Sequence, residues 1–160
     1  NLPFYPKPVT RIVALEPNAG MDRWAADRIS ASALPVDVVR ERAEDLPFAG
    51  ETFDTVVSTF TLCSVGDPGR VLAEAGRVLK PGGRLLFAEH GLSDEPGIQK
   101  WQHRLTPVNR ALADGCHLNR DMEALVGGSG LRIDGMERFY MEGIPRVGGH
   151  IYRGAAGKAR

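Results

Sequence analysis

Between Phe53 and His90 the sequence marks out a strand, a helix with both ends signalled, and a second strand. Phe53-Asp54-Thr55-Val56-Val57-Ser58-Thr59 is rich in β-branched residues and reads as a strand. Asp67-Pro68 opens a helix. Asp67 is the N-cap, and Pro68 takes the first helical position, where its missing N–H costs nothing. Val71, Leu72, Ala75, Val78 and Leu79 form the apolar stripe of that helix. Lys80-Pro81-Gly82-Gly83 stops it with a basic last turn, a proline, and glycines free to take positive φ. Arg84-Leu85-Leu86-Phe87-Ala88-Glu89-His90 then reads as the returning strand. A strand, crossover helix and strand of this kind belong to a parallel sheet with right-handed connections.

The rest of the chain extends the pattern. Arg11-Ile12-Val13-Ala14-Leu15 is an apolar run ended by Glu16-Pro17-Asn18, as expected of a strand covered on both faces. A helix follows over about residues 19–31, with Met21, Trp24, Ala25 and Ile29 on one side. Pro35 to Arg40 is a further strand, and the polar stretch from Ala43 to Thr52 is a loop. The last third changes character. Gln99 to Leu112 reads as a helix kinked or broken at Pro107. Asn119 caps a short helix that Gly127-Gly128 ends. Leu131 to Tyr140 and Arg146 to Arg153 are two strands that pair antiparallel at the sheet edge. The fold class is α/β.

Composition narrows the function classes. The 160 residues suit one domain, and 42% hydrophobic with 25% charged residues describes a globular chain. Twenty basic residues balance twenty acidic ones, so no overall basic excess points to nucleic acid or an anionic membrane. Cys63 and Cys116 are too few for a disulfide scaffold or a Cys-rich zinc site, and a reducing, cytoplasmic setting is the expectation. His103 and His150 have no companions at metal-ligand spacing, and no metal is expected. No apolar run approaches the ~20 residues that span a bilayer. The start, Asn1-Leu2-Pro3-Phe4-Tyr5-Pro6, has neither the basic nor the apolar region of a signal peptide.

Three strand ends carry candidate chemistry. Glu16 closes the first strand, where a carboxylate can accept hydrogen bonds from ribose hydroxyls. An ordinary solvated glutamate fits the same position. Ala43-Glu44-Asp45-Leu46-Pro47-Phe48 follows the second strand, on the ligand side of such a sheet; its carboxylates and N–H groups can read an adenine ring, or simply make a polar turn. Ser58-Thr59-Phe60-Thr61-Leu62-Cys63-Ser64 ends the third with small hydroxyls and one aromatic, suited either to lining a reacting group or to a strand-to-helix turn.

Taken in order, Ala14-Leu15-Glu16-Pro17-Asn18, Ala43 to Phe48, Phe53 to Ser58 and Arg77-Val78-Leu79-Lys80-Pro81-Gly82-Gly83 resemble class I S-adenosylmethionine-dependent methyltransferases over nearly the whole chain. Trp101-Gln102, Pro107, Asp114 to Arg120 and His150-Ile151-Tyr152 resemble the small thiol methyltransferase-like proteins and their bacterial relatives, in the branch that includes the ubiquinone and menaquinone C-methyltransferases. The resemblance implies a Rossmann-like sheet flanked by helices with its last strand antiparallel. It implies S-adenosylmethionine as cofactor, held by Asn1, Leu2, Glu16, Pro17, Asn18, Met21, Glu44, Asp45, Leu46, Thr59, Phe60 and Thr61. The family's first strand and its glycine-rich loop have no counterpart here. The resemblance therefore implies an incomplete domain over residues 1–160, short by on the order of 30 residues or more, the size of one βα unit with its lead-in.

Methyl transfer is a direct displacement, so the protein mainly aligns donor and acceptor and excludes water. No fixed catalytic triad is required. His90 and His117 are weak candidates for taking a proton from the acceptor, and the sequence favours reading each as a hydrogen-bonded strand-end or turn residue. Cys116 reads as a pocket residue, and Trp101 as a cap over the acceptor or a core residue. The expected partner is a small-molecule acceptor, a thiol or a quinone-like ring, with no nucleic acid; the oligomeric state is open. Two other readings stand beside this one. Glu16 also fits an NAD-type oxidoreductase, and the absent glycine loop fits a catalytically incomplete fragment.

Overall fold

The computed structural model describes residues 1–158 and divides the chain into two compact units, residues 1–47 and 48–160.

In the first unit, strand β1 (Ile12–Leu15) leads through a short 3-10 turn at Ala19–Met21 into helix α1 (Asp22–Ser30), and strand β2 (Val36–Val39) follows. β1 and β2 pair in parallel, Ile12 opposite Val36 through Leu15 opposite Val39. Asn18 caps the turn by accepting the Gly20 N–H on its side chain. These bounds agree with the apolar runs, but the expected covering does not appear. No residue from 1 to 47 is buried, Trp24 is 62% exposed and Phe4 is 85% exposed. The apolar side of α1 has formed without a core of its own to bury it.

In the second unit, strand β3 (Phe53–Thr59), helix α2 (Pro68–Val78) and strand β4 (Leu79–His90) form the expected crossover, with β3 and β4 parallel. Asp67 accepts the Arg70 N–H on its side chain and Pro68 stands in the first turn. Val71, Leu72, Ala75 and Val78 are buried, each worth at most about 2–3 kcal/mol of apolar burial. The helix stop differs in one respect. Leu79 is already extended and opens β4, so Lys80 to Gly83 belong to the strand as an irregular segment with Gly82 at φ 76°. Along β4, Gly83, Leu85, Phe87 and Glu89 are buried while Leu86 on the other face is 41% exposed.

Helix α3 (Pro96–Leu112) starts a turn earlier than its pattern suggests, because Pro96 supplies a first-turn proline; Pro107 lies inside it. Helix α4 (Met122–Gly127) is capped by Asp121, which accepts the Ala124 N–H, and not by Asn119. The Asn119 side chain is committed elsewhere: it accepts from the Thr106 hydroxyl and bonds His103. Strand β5 (Arg132–Tyr140) matches its expected span. Strand β6 (His150–Gly157) begins four residues later than expected, since Gly148 N–H donates to the Pro145 carbonyl and closes a turn there. β6 lies between β4 and β5, antiparallel to both, giving the order β3-β4-β6-β5. The last strand is thus inserted antiparallel, as the resemblance implies, and β5 forms the edge. Gly154 of β6 is required by its neighbours: a Cβ there would stand 2.5 Å from the Gly135 carbonyl oxygen and 2.7 Å from the Phe87 ring.

Candidate functional site

In a parallel sheet, ligands gather at the carboxyl ends of the strands. In the first unit that end carries Glu16, whose N–H donates to the Val39 carbonyl and whose Oε1 accepts the Asn18 N–H at 2.9 Å. Pro17, Asn18 and Met21 follow in the turn, where Met21 N–H donates to the Asn18 carbonyl. Glu44, Asp45 and Leu46 lie beyond β2 at the same end; Glu44 pairs with Arg42 at 3.1 Å, and Asp45 is exposed. Asn1 and Leu2 enter the 3-10 turn at Leu2–Phe4, where the Asn1 carbonyl accepts the Phe4 N–H. A carboxylate offers about four lone-pair directions, so Glu16 keeps acceptor capacity for hydroxyl donors after its turn bond.

In the second unit, Thr59, Phe60 and Thr61 stand at the carboxyl end of β3. Phe60 takes a left-handed φ of 51° and its ring is 46% exposed. The loop that follows is held from two sides. Below it, the fully buried Glu89 accepts from Ser58 Oγ at 2.7 Å, Thr61 N–H at 3.0 Å and Cys63 N–H at 3.3 Å. Burial pushes the Glu89 carboxyl above its ordinary value, against the pull of those donors. On the other side, Arg120 donates to the Leu62 carbonyl and, at 2.8 Å, to that of Val65. The His117 backbone N–H donates to the Cys63 carbonyl at 2.8 Å. The Thr59 to Val65 segment is therefore a braced loop.

The two histidines proposed for proton transfer fare differently. His90 closes β4 but is buried, so it does not face an open approach route. Its Nδ1 lies 3.4 Å from the Cys116 sulfur, and its Nε2 is buried with no hydrogen-bond partner. His117 is half-buried, with Nδ1 3.3 Å from the Cys63 carbonyl oxygen. Burial and the nearby Arg120 hold it below the usual histidine range.

What the sequence did not reveal is a cluster. Cys63, His90 and Cys116 converge from the loop after β3, the end of β4 and the α3–α4 connection, with their ligating atoms all within 4.8 Å of one another. The Cys63 thiol donates toward Cys116, and with Asn109, Ser64 and Arg120 this lowers Cys116 to about 7. The same proton, kept between the two sulfurs, together with burial of Cys63, pushes Cys63 far up. Cys63 and Cys116 are 53 positions apart, so no local spacing announces them. Glu89 left one trace, as an acidic residue ending an otherwise apolar strand. Trp101 is 56% exposed with Arg104 over its ring, so it is not a core residue.

Each unit carries parallel α/β strand pairing, the second with an antiparallel insertion, and sequence comparison assigns the class of protein. Residues 2–87 match the family model described as a methyltransferase domain, and the chain belongs to that family. The chain is 36% identical over 126 residues to the thiol S-methyltransferase TMT1B of Rattus norvegicus, covering 76% of this chain and 51% of that one. It is 33% identical over 135 residues to the ubiquinone/menaquinone biosynthesis C-methyltransferase UbiE of Bordetella parapertussis, covering 76% and 52%. The chain spans about half the length of these relatives. Among solved structures, a SAM-dependent methyltransferase of Methanosarcina mazei superposes with a TM-score of 0.72 at 22% identity, over 93% of this chain and 82% of that one, which shows the fold. Family membership sets the oxidoreductase reading of Glu16 aside.

Proposed function

We propose that the chain takes part in transferring a methyl group from S-adenosylmethionine to a small acceptor, a thiol in the first instance. The observation that carries this is the 36% identity, over most of the chain, to a relative named as a thiol S-methyltransferase. The geometry supports it. Within the first unit Glu16 keeps acceptor capacity of the kind ribose hydroxyls need, and Asp45 and Leu46 follow β2 at the same strand end; within the second unit Thr59 to Thr61 begin a loop braced by Glu89 and Arg120. Asn1, Leu2, Pro17, Asn18, Met21 and Glu44 complete the proposed cofactor set.

S-adenosylmethionine supplies an electrophilic methyl group on a sulfonium. The protein's share is to hold donor and acceptor in line, keep water out and let the acceptor lose its proton. A thiol needs little more, because its thiolate is already a strong nucleophile. The acceptor is small, and no nucleic acid or membrane span enters the proposal; no helix among the described residues is long and apolar enough to cross a membrane.

A second reading rests on a separate observation. β1 pairs only with β2, and β3 only with β4, among the described residues, and nothing from 1 to 47 is buried. Unpaired strand edges and bare apolar surface suit a domain that needs one further strand and glycine loop before it binds its cofactor. Calorimetry with S-adenosylhomocysteine separates the two. Micromolar binding by this chain supports a competent site. No binding by this chain, with binding by a version extended at its N-terminus, supports the second reading. Product analysis with a thiol panel and demethylated quinones tests the acceptor: methylation of quinones alone would replace the thiol by a quinone-type carbon acceptor, as the relation to UbiE allows.

A further inference from the structure

We propose that Cys63, His90 and Cys116 form a binding site for a thiophilic divalent cation, zinc in the first instance, with one coordination position left for an exogenous ligand. Two thiolates and an imidazole are the donor set that zinc prefers, and three protein ligands with an open fourth place is its reactive form. The separations fit. Zinc bonds of about 2.3 Å to sulfur and about 2.0 Å to nitrogen at a tetrahedral angle set sulfur and nitrogen about 3.5 Å apart and two sulfurs about 3.8 Å apart. Cys116 Sγ and His90 Nδ1 are 3.4 Å apart, and all three ligating atoms lie within 4.8 Å of one another. A shift of about 1.3 Å at most closes the set.

Two further observations favour a ligand role over ordinary packing. Each ligand is held by its backbone. Cys63 is fixed through its N–H by Glu89 and through its carbonyl by His117. His90 lies in the β4–β6 ladder opposite Ile151, and the Cys116 carbonyl accepts from the Asn109 amide at 2.8 Å. Lastly, Cys63 and His90 are buried while Cys116 is half-buried, so the group opens toward solvent on one side. An ion can enter there, and a fourth ligand can reach it.

The test reads metal and not turnover. The reduced, metal-stripped protein is titrated with cobalt(II) alone, then with zinc. One cobalt per chain is expected, with a near-ultraviolet thiolate charge-transfer band and the visible bands of tetrahedral cobalt, both erased by zinc. Cys116→Ala, at the half-buried position, is expected to weaken cobalt binding at least tenfold and to lose about half the charge-transfer intensity, and His90→Gln to shift the visible bands. Cys63→Ala completes the series if it folds; the other two suffice if it does not. Absence of the charge-transfer band in the wild type would overturn the proposal. So would a band that Cys116→Ala leaves intact, or a Cys63–Cys116 disulfide in the untreated protein whose reduction brings no metal uptake.

Discussion

Replacing Glu89 should loosen the loop after β3 more than any other single polar change. Its carboxylate is fully buried and accepts from Ser58 Oγ, Thr61 N–H and Cys63 N–H. Glu89→Ala strands all three donors. Ser58 and Cys63 are buried, so each costs about 1–3 kcal/mol unsatisfied, while the half-buried Thr61 can turn to water. Relief of the carboxylate's own desolvation offsets part of this, leaving about 3 kcal/mol of destabilisation. Glu89→Gln keeps one acceptor oxygen but sets an amide against one donor, costing about 1 kcal/mol. The change should show as lost hydrogen-exchange protection at the Thr61 and Cys63 amides and as a lower urea midpoint with unchanged slope. The pH dependence has a definite sign. Burial raises the Glu89 pKa above the unfolded value of 4.5, so its protonated form is preferred in the fold. That contribution is complete below the unfolded pKa and is lost as pH rises through the folded one. Glu89→Gln should flatten this window. An Ala variant within about 0.5 kcal/mol of the parent, with Thr61 and Cys63 still protected, would refute the bracing role.

Three other outcomes follow from the same structure. Arg120→Ala should free the Leu62 and Val65 carbonyls, costing about 2 kcal/mol in chemical denaturation, and Arg120→Lys should restore little, since one ammonium replaces a two-pronged fork. Gly154→Ala should destabilise by about 1–3 kcal/mol or abolish soluble expression, because the new Cβ meets a backbone carbonyl and the Phe87 ring that cannot both retreat. His150 is buried and held below its usual value of 6.5, with Asp94 at 3.8 Å only partly opposing the shift. Its contribution is therefore full above pH 6.5 and lost as pH falls toward the folded pKa, so His150→Phe should reduce the acid sensitivity of the urea midpoint.

The parts of the fold that were legible are those written in short windows. The start of α2 follows from Asp67-Pro68 because a side-chain cap and a first-turn proline act within four residues, and both are present. β3 was read to the residue because its β-branched run ends in small polar residues. The start of β6 was misplaced because it is set by a turn at Pro145 to Gly149 and by pairing with β4, its neighbour in the sheet but some sixty residues away in sequence. Asn119 was taken for a cap because it has the right chemistry, yet Thr106 and His103 claim its side chain and Asp121 is left to cap α4. Competition of this kind is decided by tertiary neighbours. The covered-strand reading of β1 failed for the related reason that an apolar run states a demand for burial, and the partner that meets it is not written in the run.

The chemical centre was illegible for a reason that lies in the topology. β3 and β4 are parallel with Thr59 opposite Ala88, so both strands deliver their last residues to the same end of the sheet. Glu89 and His90, one on each face of β4, then meet the loop that follows β3, and the pleat alone decides that Glu89 braces the loop backbone while His90 turns toward sulfur. A one-residue slip of β4 would exchange the two and place a carboxylate beside Cys116. Cys63, His90 and Cys116 are therefore joined by register and loop closure. An insertion of one residue between Gly83 and Glu89 should separate them, abolishing cobalt charge transfer even though all three ligands and the flanking helix α2 remain in the chain. Retention of the band in such a variant would show that the cysteines find each other without the sheet, and would remove register as the cause.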